Sequence, residues 1–215
     1  MRTPDIERAE LISRLKKEFG NGEPIFTKEV VSSWKEYSRP RIFQLLKEFC
    51  SDGTMVKYAK GVYYFPELSF WNTPLPLDAD KVAEKRYLKA DGKVFGYYSG
   101  LTLLNMVGLT NQVPNKREIV TENETTRVRE IIIGRAEFRI RRSRAKVTEE
   151  NAPLLQILDI FSRTDGPLEG YQKDNILSLI SGGLIDRKLL LECAEYFPKR
   201  ALKNLMDSEI GYLVS

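Results

Sequence analysis

The chain has no histidine in 215 residues. That removes Ser-His-Asp and Cys-His triads, histidine-based zinc motifs and histidine general bases. Cysteine is nearly as scarce: Cys50 and Cys193 are the only two, each in a helical-looking segment. A disulfide framework and a structural zinc site are therefore excluded, no metal is expected, and a reducing, cytoplasmic setting is predicted. No run approaches the roughly 18 charge-free apolar residues of a membrane span. The opening stretch MRTPDIERAE has no apolar signal-peptide core, so no membrane contact is expected. Internal repeats and low-complexity tracts are missing too. An enzyme would be left with carboxylate, lysine, tyrosine or serine chemistry.

What is present is an ordinary globular composition, 42% hydrophobic and 30% charged, long enough for one or two domains with real cores. The net charge of +4 says little about partners by itself. Its distribution says more: the basic excess falls within residues 73–149, and the last third is slightly acidic. Nucleic-acid binding depends on such local density.

Three helices open the chain. After Thr3-Pro4, Ile6, Ala9, Ile12, Leu15 and Phe19 recur at spacings of three and four, until Gly20-Asn21-Gly22 stops the helix. Thr27 is placed to cap a short second helix, with Phe26 and Val31 as a hydrophobic staple. Ser38-Arg39-Pro40 starts a third, which turns Ile42, Leu45, Leu46 and Phe49 inward and ends at Asp52-Gly53. Thr54–Tyr58 and Val62–Phe65 then read as a hairpin around Ala59-Lys60-Gly61. Residues 66–80, with three prolines, form the best linker, in which Phe70 and Trp71 imply packing on something. We therefore divide the chain into 1–72 and 73–215. In the second part, residues 79–90 read as a helix. Phe95–Gly100 leads into an apolar helix, Leu101–Val107. Strands follow at 118–122, 128–133 and 136–141, and helices at about 152–163, 171–181, 186–195 and 198–206.

Helix, short helix, helix, hairpin is the order of a winged helix, whose third helix enters the DNA major groove. With the apolar residues inward, the third helix leaves Arg41, Gln44 and Lys47 outside, with Arg39 at its entry and Lys57 and Lys60 on the hairpin. Arg can pair with guanine edges and Gln with adenine, while Lys neutralises phosphate. A protein-contact face, or a merely solvated helix face diluted by Glu36 and Glu48, would show the same residues.

Two segments carry a family resemblance. One is Tyr58-Ala59-Lys60-Gly61-Val62-Tyr63-Tyr64-Phe65. The other is Gly96-Tyr97-Tyr98-Ser99-Gly100-Leu101-Thr102-Leu103-Leu104-Asn105-Met106-Val107-Gly108-Leu109-Thr110-Asn111-Gln112-Val113-Pro114, followed by Glu118-Ile119-Val120-Thr121. In order and spacing, over about residues 5–145, the chain resembles the AbiEi-like antitoxins of bacterial abortive-infection (type IV toxin–antitoxin) systems. The resemblance implies an α+β fold: an N-terminal winged helix, then a mixed α/β antitoxin domain with a small antiparallel sheet and a helical tail. It implies a non-catalytic protein without cofactor that binds operator DNA, represses its own operon and counteracts a nucleotidyltransferase-type toxin encoded beside it. Two protomers on repeated half-sites would compensate for the modest charge of one third helix. The competing reading is a winged-helix regulator or adaptor with no toxin partner.

Residues 135–146 add a second basic stretch. On a strand, Arg135, Glu137, Arg139 and Arg141 share one face, and Ala136, Phe138 and Ile140 the other; Arg142, Arg144 and Lys146 continue the charge. This reads as a surface for phosphates or an acidic partner, or as an edge strand defended by charge. Other motifs are weaker. Gly96 to Gly100 suggests a phosphate loop, but no Gly-Lys-Ser/Thr follows. Ser181-Gly182-Gly183 ahead of Asp186 suggests a nucleotidyltransferase opening, but no Asp-x-Asp follows. Asp78 and Asp80 read as a helix cap.

Overall fold

Helix α1 (Pro4–Phe19) buries Leu11 and Leu15 on one stripe and stops where Gly20, at φ +83°, returns its N–H to the Lys16 carbonyl. The computed structural model describes residues 4–164, 168, 170–179, 185–208 and 210. The chain packs as two units, Met1–Val82 and Ala83–Ser215, so the Pro-rich stretch 66–80 belongs to the first. Among the described residues, helices alternate with small antiparallel sheets and one mixed sheet, an α+β architecture.

In the first unit a strand too short to show any period follows α1: β1 (Ile25–Phe26). Helix α2 (Thr27–Ser33) starts differently from the sequence expectation. The cap position is Phe26, whose N–H donates to Glu29 Oε2 at 2.9 Å. Thr27 lies inside the helix and turns its hydroxyl to the Gly61 carbonyl, 3.4 Å away. Helix α3 (Arg39–Ser51) starts as its sequence dictates: the Ser38 hydroxyl accepts the Arg41 N–H, with Pro40 in the first turn. Ile42, Leu45, Leu46 and Phe49 are buried in one cluster with Leu15 of α1, Val30 of α2 and Trp34 just after it. Strands β2 (Val56–Ala59) and β3 (Val62–Tyr64) close the hairpin over Lys60-Gly61, Gly61 taking φ +74°. The sheet order is β1-β3-β2, and the central β3 is buried along its whole length. Beyond it, the Leu75 N–H returns to the Glu67 carbonyl and the Ser69 N–H to Thr73. At the tip of this loop Phe70 and Trp71 are 96% and 83% exposed, stacked edge to face on each other. The sequence expected them to be packed away.

Helix α4 (Ala79–Tyr87) begins where Asp78 accepts the Asp80 N–H, a capping role as its sequence implies. The expected helix to residue 90 is cut short by a hairpin, β4 (Lys89–Ala90) and β5 (Lys93–Val94), over Asp91-Gly92. Both turn residues have positive φ, +52° and +71°, which Asp and Gly tolerate best. Then come β6 (Gly96–Tyr98), α5 (Gly100–Met106), β7 (Lys116–Thr121), β8 (Val128–Ile133) and β9 (Ala136–Arg142). These strands pair in the order β6-β7-β9-β8, with β7 and β9 parallel. The expectation of an antiparallel sheet is thereby corrected. The tight turn at Gly134-Arg135 folds β9 back on β8, and β9, carrying the fully buried Phe138 and Ile140, takes the interior position. The mostly exposed β8 is left at the edge.

Helix α6 (Ala152–Arg163) is apolar almost all round, with Leu154, Leu155, Ile157, Leu158, Ile160 and Phe161 buried. Such a helix belongs in the middle of a core. It packs on the sheet and on α5, and is covered by α8 (Arg187–Ala194) and α9 (Lys199–Asp207) through Leu190, Cys193, Ala201 and Leu205. Asn204 donates to the Phe161 and Thr164 carbonyls, satisfying the free end of α6. Between them in the chain lies α7 (Tyr171–Leu177). The Ser181-Gly182-Gly183 motif lies outside the described residues.

Two predictions follow from backbone crowding and charge burial. A Cβ on Gly96 would lie 2.0 Å from the Tyr87 carbonyl oxygen and 2.8 Å from that of Val120. Neither backbone atom can yield cheaply, so Gly96→Ala is expected to cost about 3 kcal/mol of unfolding free energy, read by urea denaturation. Glu124 is buried in the β7–β8 turn. Burial alone would raise its pKa. Hydrogen bonds from the Thr126 N–H and hydroxyl and the Thr125 N–H, with Arg129 2.8 Å away, outweigh burial and hold it below the ordinary value. A depressed carboxyl stabilises the fold at neutral pH and loses that contribution as pH falls through the folded value. Glu124→Gln should lower the melting temperature at pH 7 and flatten its decline on acidification.

Candidate functional site

The face that α3 leaves outside is the complement of its buried stripe. Arg39, Gln44 and Lys47 are exposed, and Arg41 is half-exposed. Arg41 sits 3.5 Å from Glu48, two turns on. This exposed pair competes weakly with any outside anion. The Arg39 guanidinium lies over the ring of Phe43, itself 43% exposed on the same helix. Phe43 was not among the expected surface residues, because its type gives no reason to place it outside. Gln44 and Lys47 border a shallow hollow shared with Arg8, Glu48 and Asp52, where Arg8 pairs with Asp52. On the hairpin, Lys57 and Lys60 are both exposed. The six residues are thus brought onto the surface of one small unit, with acid groups among them.

The second basic stretch is divided by the sheet. Strand parity holds: Phe138 and Ile140 are buried while Glu137 and Arg139 are exposed. Arg139 is opposed by Glu118 on one side and Glu130 on the other, with Arg139 Nη2 3.0 Å from Glu130 Oε1. Lys116 in turn pairs with Glu130 and Glu137. The middle of the expected positive stripe is therefore an alternating charge ladder across three strands. β9 lies between two other strands, so its charge does not guard an edge. Arg135 stands on the turn, and Arg142, Arg144 and Lys146 follow beyond the ladder, all exposed.

Arg141 has a different environment. Tyr97, Val120, Arg141 and Val128 lie opposite one another in register, one rung across all four strands. α6 packs on the Tyr97 and Val120 end of this rung while Val128 stays half-exposed, and the Arg141 side chain between them is 30% exposed. Its guanidinium donates to the Ser99 hydroxyl and lies 3.9 Å from Asp159, the one carboxylate in the apolar run of α6. Asp159 also accepts from the Ser99 hydroxyl (2.7 Å), the Gly100 N–H (3.0 Å) and Arg163 Nε (3.2 Å). The first N–H of α5 is thereby taken by a protein carboxylate, which explains the Gly-x-x-x-Gly motif without any phosphate. Burial, with Asp159 adding, pushes the neighbouring Tyr97 phenol far up, so it stays protonated. This cluster borders a cavity of about 400 Å³ lined by Arg127, Arg141, Arg142, Arg144 and Arg163. Asp159, Arg127 and Arg163 escaped the sequence reading. The available signal was a lone acid inside Leu154–Phe161, which a buried helix tolerates only if the charge is paired.

Among the described residues, no cluster of three acid or cysteine side chains could hold a metal ion, and no helix is long and apolar enough to cross a membrane. Cys50 and Cys193 are free thiols. Burial raises both, Cys193 to about 11, which makes them poor nucleophiles. Replacing Asp159 by Asn keeps the shape but removes the charge facing Arg141 and Arg163. The expected loss is about 3 kcal/mol, measured by chemical denaturation, because two partly buried cations lose their counter-charge. No protein-family model matches the chain, and no curated protein matches it.

Proposed function

We propose that the first unit is a winged helix that binds duplex DNA, and that the whole chain is a non-catalytic antitoxin and autorepressor of the abortive-infection type. One observation supports the DNA reading most: α3 keeps Ile42, Leu45, Leu46 and Phe49 inside and presents Arg39, Arg41, Gln44 and Lys47 outside. In this reading α3 lies in the major groove, where Gln44 reads adenine and Arg41, released from Glu48, reads guanine. Lys57 and Lys60 of the hairpin meet the phosphate backbone, fixing position without reading sequence. Acid groups on the same face keep the affinity of one protomer modest. Two protomers on spaced half-sites then supply the binding that one lacks. The toxin-counteracting role rests on the sequence resemblance alone, with the partner a nucleotidyltransferase encoded alongside.

Gel shifts with the DNA upstream of the chain's own gene test this reading. Binding should weaken by several orders of magnitude between about 50 and 200 mM salt, as phosphate neutralisation requires. The double change Arg41→Ala and Gln44→Ala should reduce the preference for that DNA over random duplex more than Lys60→Ala, which should weaken both alike. Equal loss on both sequences from the α3 change would remove α3 as the reader. Co-expression with the neighbouring gene, scored by growth with and without residues 1–72, separates the antitoxin from a regulator lacking a toxin.

A further inference from the structure

The cavity beside Asp159 is strongly unbalanced in charge: five arginines line it against one carboxylate. That carboxylate is already committed to Ser99, Gly100, Arg141 and Arg163. Arg127, Arg142 and Arg144 pair with no acid among the described residues. Arg141 has one donor over, since its Nε is buried with no hydrogen-bond partner. Surface arginines without partners are common. Five around one concave space crowd like charges, which costs energy that an anion would relieve. Arg141 and Arg163 offset Asp159, whereas the side chains of the other three make no ion pair among the described residues.

The chemistry of the walls limits the occupant. Guanidinium forks match the paired oxygens of phosphate and carboxylate alike, but several guanidiniums without acid partners call for more negative charge than a halide or a single carboxylate carries, as a di- or triphosphate does. The volume of about 400 Å³ suits a molecule of nucleotide size and excludes a duplex. Tyr196 and Phe197, between α8 and α9, supply aromatic surface on another wall, where a base could stack. We propose that this cavity of the second unit binds a free nucleoside di- or triphosphate, its phosphates on Arg127, Arg142 and Arg144 and its base against Tyr196 and Phe197. The site shares no residue with α3 and stands whether or not the first unit binds DNA.

Isothermal titration of the full chain with ATP, GTP and inorganic pyrophosphate tests it, at fixed ionic strength with a chloride control. Saturable nucleotide binding is expected with a dissociation constant below about 1 mM, and pyrophosphate should bind more weakly for want of a base. The double variant Arg127→Ala with Arg144→Ala should keep the ligand-free melting temperature and weaken nucleotide binding by about tenfold or more. Arg39→Ala with Lys47→Ala in the first unit should leave it unchanged. No saturation, or equal affinity in the Arg127/Arg144 variant, overturns the proposal. Binding of a 5′-phosphorylated single-stranded decamer without binding of ATP or GTP overturns it as well, because the site would then grip strand ends.

Discussion

The helical half of the second unit is organised around the buried charge of Asp159. A carboxylate in the middle of an apolar helix is costly unless every lone pair finds a donor. Asp159 finds partners on three elements: the start of α5, through hydrogen bonds from Ser99 and Gly100; strand β9, through the charge of Arg141 3.9 Å away; and its own helix, through Arg163. The carboxylate ties these elements together, since a shift of any of them would leave it without a partner. The same demand draws Arg141 beneath α6 and sets it on the wall of the cavity. Fold and cavity thus share a cause, and the arginine-rich wall begins with a residue that the fold already needs.

The first unit relies on no such charge. Its stability comes from an apolar stripe on α3 meeting α1, α2 and the hairpin, with Trp34 and Phe49 fully buried in the middle. Polar groups at its surface are therefore free to vary without threatening the core, which suits a recognition face. The loop tipped by Phe70 and Trp71 follows the same logic in reverse. Hydrogen bonds at its base hold it, and the aromatic pair contributes nothing to the core.

The elements legible in the sequence are those whose information is local. The stripe of α3, its Ser38 cap, the Lys60-Gly61 turn, the parity of β9 and the helices α6, α8 and α9 all follow from spacing and turn chemistry. What was hidden depends on distant partners. β1 is two residues long and exists because Tyr63 and Val62 stand opposite it. Phe26, not Thr27, stands at the N-cap position of α2, where its N–H is taken by Glu29, while the Thr27 hydroxyl turns to Gly61. The Asp91-Gly92 hairpin did carry a signal, masked by the helical period running into it. The sheet order was invisible, since nothing in β7, β8 or β9 states which strand lies between the others. Six of the surface candidates on α3 and the hairpin were placed by periodicity. The cavity was not, because its wall draws on β9, α6 and the α8–α9 junction.

The interior position of β9 also has a bearing on how the chain assembles as it is synthesised. β7 is made before β8 and β9, and the strand that covers its far side is the last of the four to emerge. Until Arg142 has left the ribosome, half of β7's backbone groups have no mate within the sheet. β8 cannot serve in the meantime, because it must stand aside for the strand that follows. The pairing of β7 with β9 thus spans the whole of β8, a long-range contact of the kind that slows folding.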